Sequence, residues 1–330
     1  QEIAKAQQSV AETRETIEQA KLVHEFLDEL TSKNEGHRKL AIEAILMAIP
    51  EEGAKLVQIV SETDISLEVQ RFAKSRLIGL KDSREAIYHI TSSYLTQDYL
   101  NQLEIVLQEP LENVVTGIES RIRKLSSVDR SKNAYQFMTV PREANTIDLE
   151  RDCPNHRCLV GAFNLYMTVF QDLSQSKDIR IEALKMVIGL TALVHQPMHV
   201  SFKDDFGGNR WSINFLGENT NLHAIWDGQL LAGVNSSTPY EWSKRLTKIY
   251  ERSVSSNSYT NQDFIAWANE SLLITHNIYK TTPKKKNLSW NYVDDNRITL
   301  EKLTFKAGLR LAIMLKSDYI KPVIEKLAKQ

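Results

Sequence analysis

Residues that interrupt helices are scarce in this chain. Twelve glycines and eight prolines are spread over 330 residues, which favours long helices over many turns. Apolar positions at helical spacing begin at once: Ile3, Ala6, Val10, Thr13, Ile17, Ala20, His24 and Leu27 mark one long helix over 3–31. Alanine and threonine make that seam a poor coiled coil, so packing on a neighbouring helix is expected. Shorter patterns follow at 36–48, 52–62 and 67–80, the first marked by Leu40, Ile42, Ile45, Leu46 and Ile49. Pro50-Glu51-Glu52 suits a helix start, where acidic groups complement the dipole. Two readings stand for this stretch: a HEAT-like solenoid fragment of at most two units, or a plain helical extension packed on the main body. The expectation is an all-α protein with a helical lobe over 1–82 and a larger domain over 83–330.

Composition is that of a globular protein, with 42% hydrophobic and 25% charged residues. The net charge of −1 means that any attraction for nucleic acid must be local. No apolar run reaches the roughly 18 residues needed to span a bilayer, so no membrane partner is expected. Gln1-Glu2-Ile3-Ala4-Lys5 lacks the pattern of a secretion signal, which favours a cytoplasmic setting. Cys153 and Cys158, five apart in a polar loop, either pair as a small disulfide in an exported protein or stay reduced in a cytosol.

The chemistry concentrates in His195-Gln196-Pro197-Met198-His199, then Phe206-Gly207-Gly208-Asn209, then Asn221-Leu222-His223-Ala224-Ile225-Trp226-Asp227. On a helix, His223 and Asp227 project from one face about a turn apart. His199 follows Pro197, where a helix ends or kinks and the imidazole can turn toward the same point. Two histidines and a carboxylate suit zinc and leave a fourth position open to water. The same His–Asp spacing also occurs as a plain surface hydrogen bond.

These three motifs in order, H-Q-P-x-H, G-G-N and N-L-H-x-x-W-D, resemble the zinc-dependent S1/P1 nuclease family, relatives of the zinc phospholipases C. The likeness extends to the Asp152-Cys153 to Cys158 loop with Leu159-Val160-Gly161-Ala162 after it. It includes Trp267 to Ser271, Lys306 to Ala312 and, upstream, Ser93-Tyr94-Leu95-Thr96, roughly 84–318 in all. The resemblance implies an all-α fold, three zinc ions in a cleft, and cleavage of single-stranded nucleic acid to 5′-phosphates.

Carried over by position, only part of that site survives. His199, His223 and Asp227 match the ligands of one zinc. For the paired zinc, Leu193 stands opposite the bridging aspartate, Gly189 at one histidine, Gln136 at the other, and Glu119 or Ser120 at an aspartate. The third zinc is held in the family by a free N-terminal amine and a histidine. That region here lies within the chain near Gly79 to Arg84, with Arg84 at the histidine position, and an internal amide cannot replace an amine. The expectation is therefore at most one zinc, with Asp227 and Asn209 as the catalytic candidates and Phe137 as an aromatic able to stack on a base. Single-stranded nucleic acid or a nucleotide is the expected substrate class, with activity reduced or lost. The alternative is an inactive binding or regulatory module meeting a protein partner through its N-terminal helices. Lys284-Lys285-Lys286 reads as solvated surface, with phosphate contact the minority reading. His195 reads as a supporting residue, and His24, His37, His89 and His276 as ordinary ones.

Overall fold

The computed structural model describes residues 26–48, 50–78, 83–215, 218–231, 238–251, 259–260 and 262–330. The chain divides into two compact units, Gln1–Lys81 and Asp82–Gln330. The fold is all-α, and its five strands are two to four residues long. Of the long helix expected over 3–31, residues 3–25 lie outside the described residues, and 26–30 are helical.

The first unit contains α1 (Glu35–Ala48), α2 (Pro50–Thr63) and α3 (Leu67–Ile78). Proline at the start of α2 costs nothing, because the first turn's N–H groups have no helical partner. Leu30, Ala41, Ile42, Ile45, Val57, Val69 and Ala73 form one buried cluster, flanked by Phe26, Val60 and Phe72. Each of the three helices touches the other two, the arrangement of a small bundle. Arg38 and Asp64 are both buried and joined by a double hydrogen bond, Nε to Oδ2 at 2.8 Å and Nη2 to Oδ1 at 3.1 Å. Arg38 also donates to the Ser32 carbonyl at 2.6 Å.

The second unit begins with α4 (Ser83–Ser93), α5 (Gln97–Leu107), α6 (Leu111–Thr116) and α7 (Ile118–Val128). A 3-10 turn over Arg130–Gln136 leads to β1 (Met138–Val140), and a short α8 (Leu149–Asp152) precedes the cysteine loop. Cys153 and Cys158 are disulfide-bonded. Helices α9 (Leu159–Gln171) and α10 (Lys177–Leu193) pack together. Every residue of α10 from Ala183 to Leu193 is buried, so this helix is the axis of the domain. Pro197 prevents its continuation, and a 3-10 turn, Pro197–His199, hands the chain to β2 (Val200–Phe202).

β2 pairs in parallel with β1, Met138 opposite Val200, which brings the Gln136–Phe137 segment beside His199. β3 (Ser212–Phe215) pairs antiparallel with β4 (Glu218–Asn221) and parallel with β5 (Asn287–Leu288). β4 delivers Asn221 as the cap of α11 (Leu222–Ala224), its side-chain oxygen accepting from Ala224 N at 2.9 Å. The remaining helices are α12 (Pro239–Tyr250), α13 (Asp263–Thr281), α14 (Trp290–Lys316) and α15 (Lys321–Ala328). Phe163 of α9 stacks on Phe264 of α13 with ring centroids 3.7 Å apart. Among the described residues no helix is long and apolar enough to cross a membrane.

Breaking a buried ion pair strands a charge, at a cost of about 3–5 kcal/mol. Asp64→Ala is expected to destabilise the first unit by that amount. Hydrogen exchange of the amides of α1 to α3 measures it, and unchanged protection would show that the pair contributes nothing.

Candidate metal centre

His199 is fixed by its backbone first. Gln196 caps the 3-10 turn: its side-chain oxygen accepts from Met198 N and from His199 N, the latter at 3.3 Å. Thr275 Oγ1 of α13 lies 2.7 Å from the Pro197 carbonyl and 2.9 Å from that of Val200. The imidazole Nδ1 meets the Gln136 carbonyl at 2.8 Å. A carbonyl only accepts, so Nδ1 carries the proton and Nε2 keeps its lone pair.

His223 is prepared in the same way. Its Nδ1 is 2.7 Å from the Gly207 carbonyl, and Gly207 and Gly208 adopt φ of +64° and +86°. A Cβ on Gly207 would stand 2.8 Å from the Met198 carbonyl, so positive φ and close approach both demand glycine. Buried Asp205 holds this turn, accepting from Gly208 N at 2.9 Å, Tyr279 Oη at 3.0 Å and Arg142 at 3.0 Å.

Asp227 completes the group. The expected regular helix is not what carries it: after Leu222–Ala224 the chain widens into a π turn, Ile225–Gln229. Such turns insert a residue and re-aim side chains. Asp227 Oδ1 lies 3.5 Å from His199 Nε2, and Oδ2 lies 3.2 Å from His223 Nε2. Gln196 Nε2 donates to Oδ1. Burial opposes charge on Asp227, but hydrogen bonds and charge from His199 and His223 outweigh it and hold the carboxyl well below its usual range. For His223, burial acts downward, yet Asp227, the Gly207 carbonyl and, at longer range, Glu119 raise its pKa.

The donor set fits a zinc ion. Ligand atoms about 2.0–2.1 Å from one tetrahedral ion stand roughly 3.4 Å apart, close to the 3.2 and 3.5 Å here. The three ligand atoms lie within 4.8 Å of one another, and among the described residues no other group of three such side chains converges. Both imidazoles have the second hydrogen bond that orients a metal ligand. Phe137 stands against them, its ring 5.2 Å from His199 and 5.9 Å from His223. Asn209 is exposed, and its amide nitrogen donates to the Phe206 carbonyl at 2.9 Å.

The surrounding cleft, about 530 Å³, is lined by Arg84, Glu119, Leu193, Gln196 and Trp226 together with His199 and Asp227. Gly189 faces Ile118, whose side chain would be 2.6 Å from an added Cβ. Leu193 is 3% exposed. Gln136 turns its side chain to Asn133 Oδ1 at 2.9 Å and gives the centre only its carbonyl. Of the two candidates left open by sequence, Glu119 lines the cleft, and Ser120 is exposed. Arg84 Nη1 lies 3.4 Å from Glu119. His195 is buried away from the trio, its Nδ1 on the Thr191 carbonyl and its Nε2 3.0 Å from Arg310. Burial and the Arg310 charge push its pKa down to about 3. His276 meets the Ala144 carbonyl, His89 packs between Tyr88 and Tyr240, and His37 pairs with Glu29. His24 lies outside the described residues.

The S1/P1 Nuclease family model matches residues 85–319. The chain belongs to the S1/P1 nuclease family. It is 26% identical to Endonuclease 3 of Arabidopsis thaliana over 69% of this chain and 84% of that protein. It is 24% identical to Nuclease S1 of Aspergillus oryzae over 70% and 88%. With Nuclease P1 of Penicillium citrinum the identity is 26% over 55% and 70%.

Sequence alone did not single out Gln196, which ties the His199 turn to Asp227, or Asp205, which ties the glycine turn that supports His223. The signal for Gln196 was present, since a polar residue directly before proline at a helix start is a capping position.

Two outcomes follow from this packing. Gly189→Ala is expected to cost roughly 1–3 kcal/mol by overpacking Ile118, read from urea unfolding, and a neutral result would show slack at that contact. In metal-free protein, the depressed Asp227 pKa contributes stability above the ordinary carboxyl value of 3.8, lost as pH falls. The raised His223 pKa contributes stability below the ordinary 6.5, lost as pH rises through the raised value. The gap in Tm between wild type and Asp227→Asn should therefore be widest from about pH 4 to 6.5. A gap that does not change from pH 4 to 9 would contradict the pairing.

Proposed function

We propose that the domain is a phosphoesterase of the nucleic acid or nucleotide class reduced to one zinc site, with catalysis on single strands weakened or lost. The observation that carries this reading is the contrast within one cleft. His199, His223 and Asp227 converge with both imidazole lone pairs aimed inward, whereas Ile118 and Leu193 occupy the neighbouring wall with apolar atoms.

When bound, zinc supplies Lewis acidity and lowers the pKa of a water toward neutrality. The chain's own residues hold the ligand geometry and set the surroundings. Gln136 and Gly207 carbonyls keep the imidazoles in the ligating tautomer, and Gln196 keeps Asp227 aligned. Phe137 offers an aromatic face beside the imidazoles on which a base can stack, worth about 1–3 kcal/mol per base. Asn209 follows the glycine turn and is kept as the polar candidate for a phosphate contact. Phosphodiester cleavage spreads negative charge over the phosphate oxygens, and paired metals meet that charge on both the attacking and the leaving oxygen. With Gly189 and Leu193 in the wall, one ion is all that the side chains of the described residues would hold. The N-terminal helices, with Leu40 and Ile65 exposed, are the part assigned to a protein partner, and a HEAT-like role is proposed for them on that basis.

The reading is tested by metal and turnover together. Wild type should carry one zinc per chain by elemental analysis and His223→Ala none. Cleavage of single-stranded DNA should run orders of magnitude below that of Nuclease P1 assayed alongside. Two or more zincs, or full zinc in His223→Ala, would refute the assignment. Robust cleavage abolished by Asp227→Ala would restore a competent enzyme.

A further inference from the structure

Arg84 and Glu119 share a cleft with the metal ligands without contacting them in any hydrogen bond or ion pair described above. Arg84 sits at the start of α4, with its side chain 17% exposed, and Glu119 begins α7 at 28%. Glu119 is shared by two guanidiniums: Arg84 at 3.4 Å and Arg123 at 3.7 Å. One carboxylate set against two fixed cations leaves a positive excess. Arg123 is 67% exposed and does not line the cleft, so the cation that faces inward is Arg84. The wall around it is largely apolar, with Ile87, Leu193, Trp226, Leu300 and Leu303 lining the same space, and in such surroundings a charge is screened less than in water.

We propose that Arg84 is a phosphate-binding residue, its guanidinium contacting non-bridging oxygens of a phosphoryl group in this cleft. The guanidinium is permanently charged and planar, and its fork of N–H donors matches two phosphate oxygens. Glu119 holds it from the side and limits the side-chain freedom lost on binding. The charge lies where Ile118, Gly189 and Leu193 leave no ligands for a further ion, so a fixed organic cation meets part of the phosphate charge there. This proposal names a ligand contact for the site under "Proposed function" and rests on that reading for the metal side only.

The test is calorimetric titration of the full chain with inorganic phosphate, once zinc-saturated and once after chelation. Arg84→Gln should bind phosphate about tenfold more weakly or worse, as expected when a charge-assisted contact is lost. Its zinc content should not change. Arg84→Lys should recover part of the affinity, since lysine supplies the charge without the fork. Arg123→Gln, which removes the outer partner of the same carboxylate, should bind as wild type does. Wild-type affinity in Arg84→Gln, an equal loss in Arg123→Gln, or no phosphate binding by wild type in either state overturns the proposal. Should Arg84→Gln fail to fold, phenylglyoxal labelling of wild type read by mass spectrometry replaces it. Arg84 should be protected by phosphate, and labelling unaffected by phosphate also overturns the proposal. Failure of the metal reading gives a different result: no zinc in wild type, with phosphate affinity that still depends on Arg84.

Discussion

Two backbone carbonyls decide what the candidate centre can be. Those of Gln136 and Gly207 accept from Nδ1 of His199 and His223 and so leave both Nε2 lone pairs facing Asp227. Neither carbonyl is placed by its own side chain. Gln136 is brought to His199 by the parallel pairing of β1 and β2, and Gly207 by a left-handed turn that Asp205 ties to Tyr279 and Arg142. The histidines are ligands in waiting because short strands and a glycine turn are in register around them.

The other half of the cleft follows the opposite logic. A second cluster of carboxylates and imidazoles beside the first would need metal charge to offset its mutual repulsion and desolvation. Here the same space is closed by packing. Helix α10 crosses α7 with Gly189 against Ile118, too near for any side chain on the glycine, and Leu193 continues the apolar face. These contacts belong to the central helix of the domain, so regaining a ligand at 189 would mean moving α7 as well as changing a residue. Such loss of charge is self-reinforcing, because each apolar replacement becomes part of the core.

The surviving ligands were legible because ligand chemistry restricts both residue type and spacing, and His199, His223 and Asp227 carry that pattern openly. Helices were legible for a related reason: α1 to α3 at 35–48, 50–63 and 67–78 lie within a few residues of the periodic patterns. The strands were not, since two to four residues are too few for alternation to register. Nor was the π turn under Asp227, as an i, i+4 spacing is compatible with a regular helix and with a widened one. The Arg84–Glu119 pair joins residues on different helices, and a propensity-based reading has no access to such a contact. The cysteine pair left two chemical states open, and the fold adopts the bonded one.

Gln196 shows how tightly the remaining half is determined. Its amide oxygen accepts from the backbone of Met198 and His199, and its nitrogen donates to Asp227 Oδ1. Reversing the amide would set its nitrogen against two N–H donors and its oxygen against a carboxylate, so only one orientation is compatible with the surroundings. A donor on Oδ1 leaves Oδ2, the oxygen nearest His223, as the one met only by imidazole. The carboxylate is thus divided between a structural role and a ligating one, and the turn that presents His199 is coupled to the residue that completes the centre. A substitution at Gln196 acts on both at once, through a side chain that is not itself a metal ligand.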